Sequence, residues 1–206
     1  MKIGIFGGSF DPVHNGHIEI ARKAKSRFSL DEVSFVPCYI QPIKGQSVSD
    51  AKDRVAMLNI AVKGIKGFNV HVYEIEKKGV SYTVDTLRYI KSETVNGQLF
   101  FILGADSLSS IMSWKEPGSL PGLCEFIVYP RKGTDSGEID SVLSEIPELK
   151  VNFIGGGDID ISSSVIRRQI SEGKIDKMSC LNEGVKKYIK ERRLYSIEKN
   201  DFEKNC

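Results

Sequence analysis

Lys2-Ile3-Gly4-Ile5-Phe6-Gly7-Gly8-Ser9-Phe10-Asp11-Pro12-Val13-His14-Asn15-Gly16-His17 begins as an apolar run, breaks into glycines and restarts as a helix. Lys2–Phe6 reads as a strand. From Gly16 to Phe28 the apolar residues Ile18, Ala21, Ala24 and Phe28 recur on one helical face. Two adjacent glycines let a backbone approach a ligand with no Cβ in the way. Successive N–H groups beside a helix start form an anion site suited to phosphate. His14 and His17 are spaced to offer hydrogen-bond donors to the same phosphates. A Gly-Gly turn also occurs with no ligand, and two imidazoles can begin a zinc site. Zinc needs three or four ligands, and the only further histidine is His71, with Cys38 the nearest thiol. The spacing fits neither G-x-G-x-x-G nor G-x-x-x-x-G-K-[ST], so this is a phosphate loop of another kind.

Outward from this loop, strand-like and helix-like stretches alternate. Val33–Val36 reads as a strand stopped by Pro37, followed by a loop with Pro42, Lys44 and Gly45. Asp50 is placed to cap a helix from Ala51, with Val55, Leu58, Ala61 and Val62 at helical spacing. Phe68–Tyr73 alternates as a strand and Thr83–Ile90 as a short helix. Leu99–Leu103 is continuously apolar, as a central parallel strand covered on both faces would be. Glu125–Tyr129 and Val151–Ile154 are further strands, and Ser163–Ile170 and Asn182–Arg192 the closing helices. Such alternation predicts crossover connections, and hence an α/β, Rossmann-like, doubly wound and mostly parallel sheet with helices on both faces. Ligands then sit beyond the carboxyl ends of the strands, in the loops after Phe6, Val36, Leu103, Tyr129 and Ile154. No linker-like break divides the chain, which predicts one domain over 1–197 and a frayed polar tail over 198–206.

The composition limits the partners. Of 206 residues, 40% are hydrophobic and 27% charged, with a formal net charge of +2, so no broad basic face for nucleic acid or membrane is expected. Lys186-Lys187 and Arg192-Arg193 read as a solvated cluster. No apolar stretch reaches the ~20 residues of a membrane span. Four scattered cysteines (Cys38, Cys124, Cys180 and Cys206) read as reduced thiols, which with the absence of a signal-like start predicts a cytoplasmic protein. A homo-oligomer stays open.

Ile161-Ser162-Ser163-Ser164-Val165-Ile166-Arg167 follows the last strand and starts a helix. Its hydroxyls and free N–H groups suit an anion, and Arg167 adds a fixed positive charge. Equally, it reads as a serine cap with a solvated arginine. Gly7–His17 resembles the signature loop of the nucleotidyltransferase α/β-phosphodiesterase superfamily, with its H-x-G-H core intact. The segment 161–167 resembles that superfamily's I-S-S-T-x-I-R motif, with Ser164 in place of threonine. Ser81-Tyr82-Thr83, Gly104-Ala105-Asp106 and Trp114 are similar to the nicotinate-nucleotide adenylyltransferases. Taken alone, Trp114 reads as a core or rim aromatic and Asp106 as a helix cap.

The resemblance implies adenylyl transfer from ATP to nicotinate mononucleotide, giving deamido-NAD and pyrophosphate, with Mg²⁺ carried by the ATP phosphates rather than by a protein site. It implies that His14, His17, Lys44 and Arg167 are catalytic. ATP would be held by Gly7, Gly8, Ser9, Phe10, His17, Gly104, Asp106, Ile161, Ser163, Ser164 and Arg167. The mononucleotide would be held by Tyr82, Thr83, Trp114 and Arg131. Asp11 reads as ordering the loop. Gln41-Pro42-Ile43-Lys44 departs from the family's P-P-H-K by losing the histidine. Trp114-Lys115 stands where many members have Trp-Tyr, and Pro130-Arg131-Lys132-Gly133 where they have K-R-P-G. Nicotinamide mononucleotide, phosphopantetheine and a non-catalytic nucleotide sensor are the alternatives.

Overall fold

A computed structural model describes residues 1–42, 45–94, 96–130, 136–155 and 161–196. The strands are β1 (Lys2–Gly8), β2 (Glu32–Pro37), β3 (Ile40–Gln41), β4 (Gly45–Gln46), β5 (Phe68–Val70), β6 (Gln98–Gly104), β7 (Glu125–Tyr129) and β8 (Val151–Phe153). The α-helices are α1 (Asn15–Phe28), α2 (Ala51–Val62), α3 (Tyr73–Lys77), α4 (Thr83–Glu93), α5 (Ala105–Ser109), α6 (Ser136–Glu145), α7 (Ser163–Ser171) and α8 (Glu183–Glu191). Six strands form one sheet in the order β5-β2-β1-β6-β7-β8, with every pairing parallel; β3 and β4 form a separate antiparallel hairpin. The order runs outward from β1 in one direction and restarts at β6 in the other, so the β1/β6 boundary is the topological switch point of a Rossmann-like fold.

Alternation along the strands builds two cores. Phe6, Val33, Phe35, Phe100, Ile102 and Ile127 face α1, α2, α7 and α8. Ile3, Ile5, Leu99, Phe101, Phe126 and Val128 face α4, α5 and α6. This accounts for the unbroken apolar run of β6, since both its faces are covered.

Three expectations are corrected. The strand expected over 68–73 ends at Val70. β5 is an edge strand that pairs only with Val33–Phe35; after the His71 N–H donates to the Phe35 carbonyl, the chain turns and Tyr73 starts α3. In α2 the buried face carries Asp53 and Arg54 with Met57, Leu58, Ala61 and Val62, while Val55 is only half-buried; Asp50 sits at the N-cap position without a side-chain capping bond. The basic pairs near the C-terminus are not all solvated. Lys186 is buried and paired with Glu183 at 2.7 Å, and Arg192 Nε lies 3.2 Å from the buried Asp53. The tail expected over 198–206 lies outside the described residues. Among those described, no helix is long and apolar enough to cross a membrane.

Candidate active site

The loop after β1 is built from backbone held inward. The Gly8 carbonyl accepts from Cys38 N–H at 2.9 Å, and the Ser9 carbonyl accepts from Arg54 Nη1 at 2.8 Å. In a planar trans peptide the N–H points opposite its carbonyl. The N–H groups of Ser9 and Phe10 therefore point away from those partners. Phe10 is 1% exposed and packs edge-on against Phe6 and His17, so its side chain is part of the core beneath the loop.

Asp11 is the hub of the loop. Its buried carboxylate accepts from Val48 N–H (2.7 Å), Ser49 N–H (3.3 Å), the Ser49 hydroxyl and the Tyr195 hydroxyl (2.6 Å). This fits the loop-ordering role read from the sequence. Those four donors occupy the oxygens, and the Tyr195 phenol is pushed well up from its ordinary value, first by burial and then by the Asp11 charge.

His14 and His17 start α1 as a stacked pair, with ring centroids 3.6 Å apart. The His14 N–H donates to Nδ1 of His17 at 3.2 Å. That assigns the neutral His17 proton to Nε2, which is then a donor. Asn15 between them is anchored twice, by its N–H to the Cys180 carbonyl and by its side chain to the Ser179 carbonyl.

The second phosphate-type segment docks on the first. Ser163 at the start of α7 donates to the Pro12 carbonyl at 3.0 Å, and Arg167 Nη1 donates to the Asp11 carbonyl at 2.6 Å. The hydroxyls of Ser162 and Ser164 lie 2.7 Å apart. Ile161, half-buried, packs against the first core.

Beside this loop is a cavity of about 350 Å³ at the switch point. Its lining includes Gly7 and Gly8 after β1, Gly104 and Asp106 after β6, and an aromatic part made by Tyr82, Thr83, Trp114 and Lys115. A Cβ at Gly104 would lie 2.3 Å from Asp106 Oδ1 and 3.2 Å from the Tyr129 ring, so a larger residue would have to displace the Asp106 carboxylate. Trp114 is half-buried, set edge-on to Phe101 at 6.1 Å. Tyr82 and Thr83 are placed by the preceding serine, whose N–H donates to the Ile40 carbonyl and whose hydroxyl accepts from Tyr39 N–H. The first N–H groups of α4, from Thr83 on, have no carbonyl within their own helix.

The structure thus brings Gly7, Gly8, Tyr82, Thr83, Gly104, Asp106 and Trp114 to one cavity. His14, His17, Ser163 and Arg167 gather around the adjoining loop. Lys44 and Arg131 lie outside the described residues.

Sequence reasoning missed Arg54, Glu74 and the cavity position of Cys38. Arg54 is 1% exposed and reaches the Ser9 carbonyl from α2. Its signal was available: Arg54, Leu58 and Ala61 share one helical face, so a cation stands on an apolar stripe. Glu74 is buried and accepts from the Thr86 hydroxyl at 2.6 Å. Burial pushes its carboxyl above its ordinary value, against the hydrogen bonds from Thr86 and Ser81. Burial also pushes the Cys38 thiol up to about 11, which keeps it protonated and inert at neutral pH.

The family model described as Cytidylyltransferase-like matches residues 5–169. The chain is 42% identical, over 80% of its length and 99% of the other's, to the probable nicotinate-nucleotide adenylyltransferase of Aquifex aeolicus. It is 38% identical to that of Clostridium beijerinckii, over 94% of this chain and 98% of that one. Among solved structures, the nicotinic acid mononucleotide adenylyltransferase of Plasmodium falciparum complexed with NaAD superposes with a TM-score of 0.74 at 25% identity, covering 94% of this chain and 97% of that one. Motifs, fold and whole-length similarity agree, and the chain belongs to the nicotinate-nucleotide adenylyltransferase family.

Proposed function

We propose that this chain transfers the adenylyl group of ATP to nicotinate mononucleotide, forming deamido-NAD and releasing pyrophosphate. The observation that carries the reading is one cavity at the β1/β6 switch point whose lining joins Gly7, Gly8 and Gly104 with Tyr82 and Thr83 at the start of α4 and with Trp114. The solved complexes of the Plasmodium falciparum relative with NaAD and with APC support a nucleotide on this fold.

The 5′-phosphate of the mononucleotide attacks the α-phosphorus of ATP in line. The new P–O bond forms as the bond to the β-phosphate oxygen breaks, and pyrophosphate leaves with that electron pair. The attacking phosphate is already ionised, so no protein nucleophile is needed, and catalysis rests on positioning and charge stabilisation. Nε2 of His17 donates to the phosphoryl oxygens, with His14 beside it. The Gly7–Phe10 backbone and the hydroxyls of Ser163 and Ser164 line the phosphate path. Arg167 and Lys44 balance the charge of the departing pyrophosphate. Gly104 and Asp106 receive the adenosine, and Ile161 borders it. Trp114 offers its face to the electron-poor pyridine ring, while Tyr82, Thr83 and Arg131 attend the nicotinate moiety.

The family's metal suits this site as a passenger of the nucleotide. Asp11 is saturated by four donors, and among the described residues no three His, Cys, Asp or Glu side chains converge on one point. Mg²⁺ bound to the ATP phosphates would neutralise the charge that builds on the leaving pyrophosphate. Cys38 and Cys124 are buried free thiols, which suits the reducing cytoplasm.

The test is pyrophosphate release with Mg-ATP and, separately, nicotinate mononucleotide, nicotinamide mononucleotide and phosphopantetheine. Strong preference for nicotinate mononucleotide is expected. Preference for another acceptor would overturn the substrate, and ATP binding without release from any of them would overturn the enzyme.

A further inference from the structure

Lys115 lines the cavity beside Tyr82, and the phosphate chemistry makes no use of it. Its Nζ lies 5.0 Å from the centre of the Tyr82 ring and 3.0 Å from Oδ1 of Asp85, in the first turn of α4. Lys77, at the end of α3, approaches the same carboxylate at 2.9 Å. Two ammonium groups therefore share one carboxylate, which leaves one positive charge at this end of the cavity.

Three other carboxyls stand near this charge. Asp106 lines the cavity too, but from the first turn of α5, on the side assigned to the adenosine. Glu116 is paired with Arg88 at 2.7 Å. Glu74 lines the same cavity, but burial favours its neutral form and Thr86 occupies it. Burial works against the Asp85 charge, yet the hydrogen bonds from Lys77 and Lys115 hold its carboxyl below the ordinary value, so it stays ionised. Lys115 can also leave Asp85 at little cost, because Lys77 remains as that carboxylate's partner.

The two pyridine mononucleotides differ at one substituent: a carboxylate carries a full negative charge and a carboxamide none. Neutral donors such as the Thr83 hydroxyl and N–H can be met by both carboxylate oxygens but by only the one oxygen of a carboxamide. A positive charge adds a Coulomb attraction that the carboxylate feels and the carboxamide does not, and specificity is the total difference in affinity.

We propose that Lys115 is a specificity-determining residue, whose ammonium group, poised by Asp85 and the Tyr82 ring, selects the carboxylate of nicotinate mononucleotide over the carboxamide of nicotinamide mononucleotide. This rests on the substrate reading above.

The experiment compares wild type, Lys115→Met and Lys115→Arg. The kcat/KM ratio for nicotinate over nicotinamide mononucleotide is measured at saturating Mg-ATP. Binding of each mononucleotide without ATP is followed by quenching of Trp114, the chain's single tryptophan. Lys115→Met should lower the ratio about tenfold through loss on the nicotinate side, the scale of one partly solvated charge-assisted hydrogen bond. The KM for ATP should not move, and Lys115→Arg, which keeps the charge, should hold the ratio within about threefold of wild type. A Lys115→Met enzyme with the wild-type ratio would overturn the proposal, as would a Lys115→Arg enzyme as unselective as Lys115→Met. A wild type with no preference between the mononucleotides would instead remove the substrate reading beneath it.

Discussion

His17 is tied into the start of α1 through Nδ1. With Nδ1 accepting from the His14 N–H at 3.2 Å, the neutral ring has its proton on Nε2 and needs no tautomer change to donate. A donor fixed before the substrate arrives is worth most where charge develops, so its removal should appear in turnover rather than in binding. His17→Ala should lower kcat by a factor on the order of 10² or more, with the KM values for both substrates nearly unchanged. Steady-state pyrophosphate release checks this, and turnover close to wild type would remove His17 from the chemistry. The sequence makes the two histidines legible because H-x-G-H is local. It makes Asp11 legible as a loop organiser, although all four of its donors come from the distant Val48, Ser49 and Tyr195. Arg54 is legible as a cation on an apolar helical stripe, but its partner is hidden for the opposite reason. Its target is the Ser9 carbonyl, 45 residues away in sequence, and a backbone oxygen leaves no mark in a sequence.

At the scale of elements, legibility followed burial on both faces. β1, β6 and β7 were readable as apolar runs because the sheet covers them twice, whereas the half-exposed edge strand β5 lost its last three expected residues to a turn and to α3. α6 went unread although Ile139, Val142 and Ile146 recur at helical spacing and are buried in the second core. Its surroundings are polar and its helix short. The last helix, α8, was placed within one residue at each end, and its cap explains why. Asn182 Oδ1 accepts from Gly184 N–H at 2.8 Å, satisfying an amide that the helix cannot. α8 also carries Tyr188, whose hydroxyl donates to the buried Asp53 at 2.8 Å, and leads to Tyr195 on Asp11. Asn182→Ala should therefore cost about 1 kcal/mol of stability. In a chain of this size that is a fall in melting temperature of roughly 2–4 °C. Urea unfolding should show a lower midpoint with an unchanged slope; an unmoved midpoint would mean that the cap contributes nothing to the fold.

For the molecule as a whole, the fold joins ends that the sequence keeps apart. Ser163 and Arg167 reach Pro12 and Asp11 across 151 and 156 positions, and Tyr195 reaches Asp11 across 184. Sequence motifs announce two phosphate-type loops; that the second holds the backbone of the first follows only from the parallel topology, which delivers the end of every strand to one rim. The same convergence places an ionisable group, Glu74, against that rim, where burial raises its carboxyl above the ordinary Glu value of about 4.3. The consequence for stability has a definite sign. A carboxyl that binds its proton more tightly in the folded than in the unfolded chain gives its full contribution below the unfolded value. That contribution is lost as the pH rises through the folded one. Glu74→Gln keeps an acceptor for the Thr86 hydroxyl while removing the titration. The melting temperatures of variant and wild type should then differ by a constant amount below about pH 4, and the variant should gain on wild type as the pH rises above the unfolded value of about 4.3. Paired thermal melts from pH 4 to 8 measure that difference directly, and because every other carboxyl is common to both proteins, its own titration cancels. A difference that stays flat across the window would mean that Glu74 is ionised in the fold, and the cavity wall facing the substrate would then carry a negative charge.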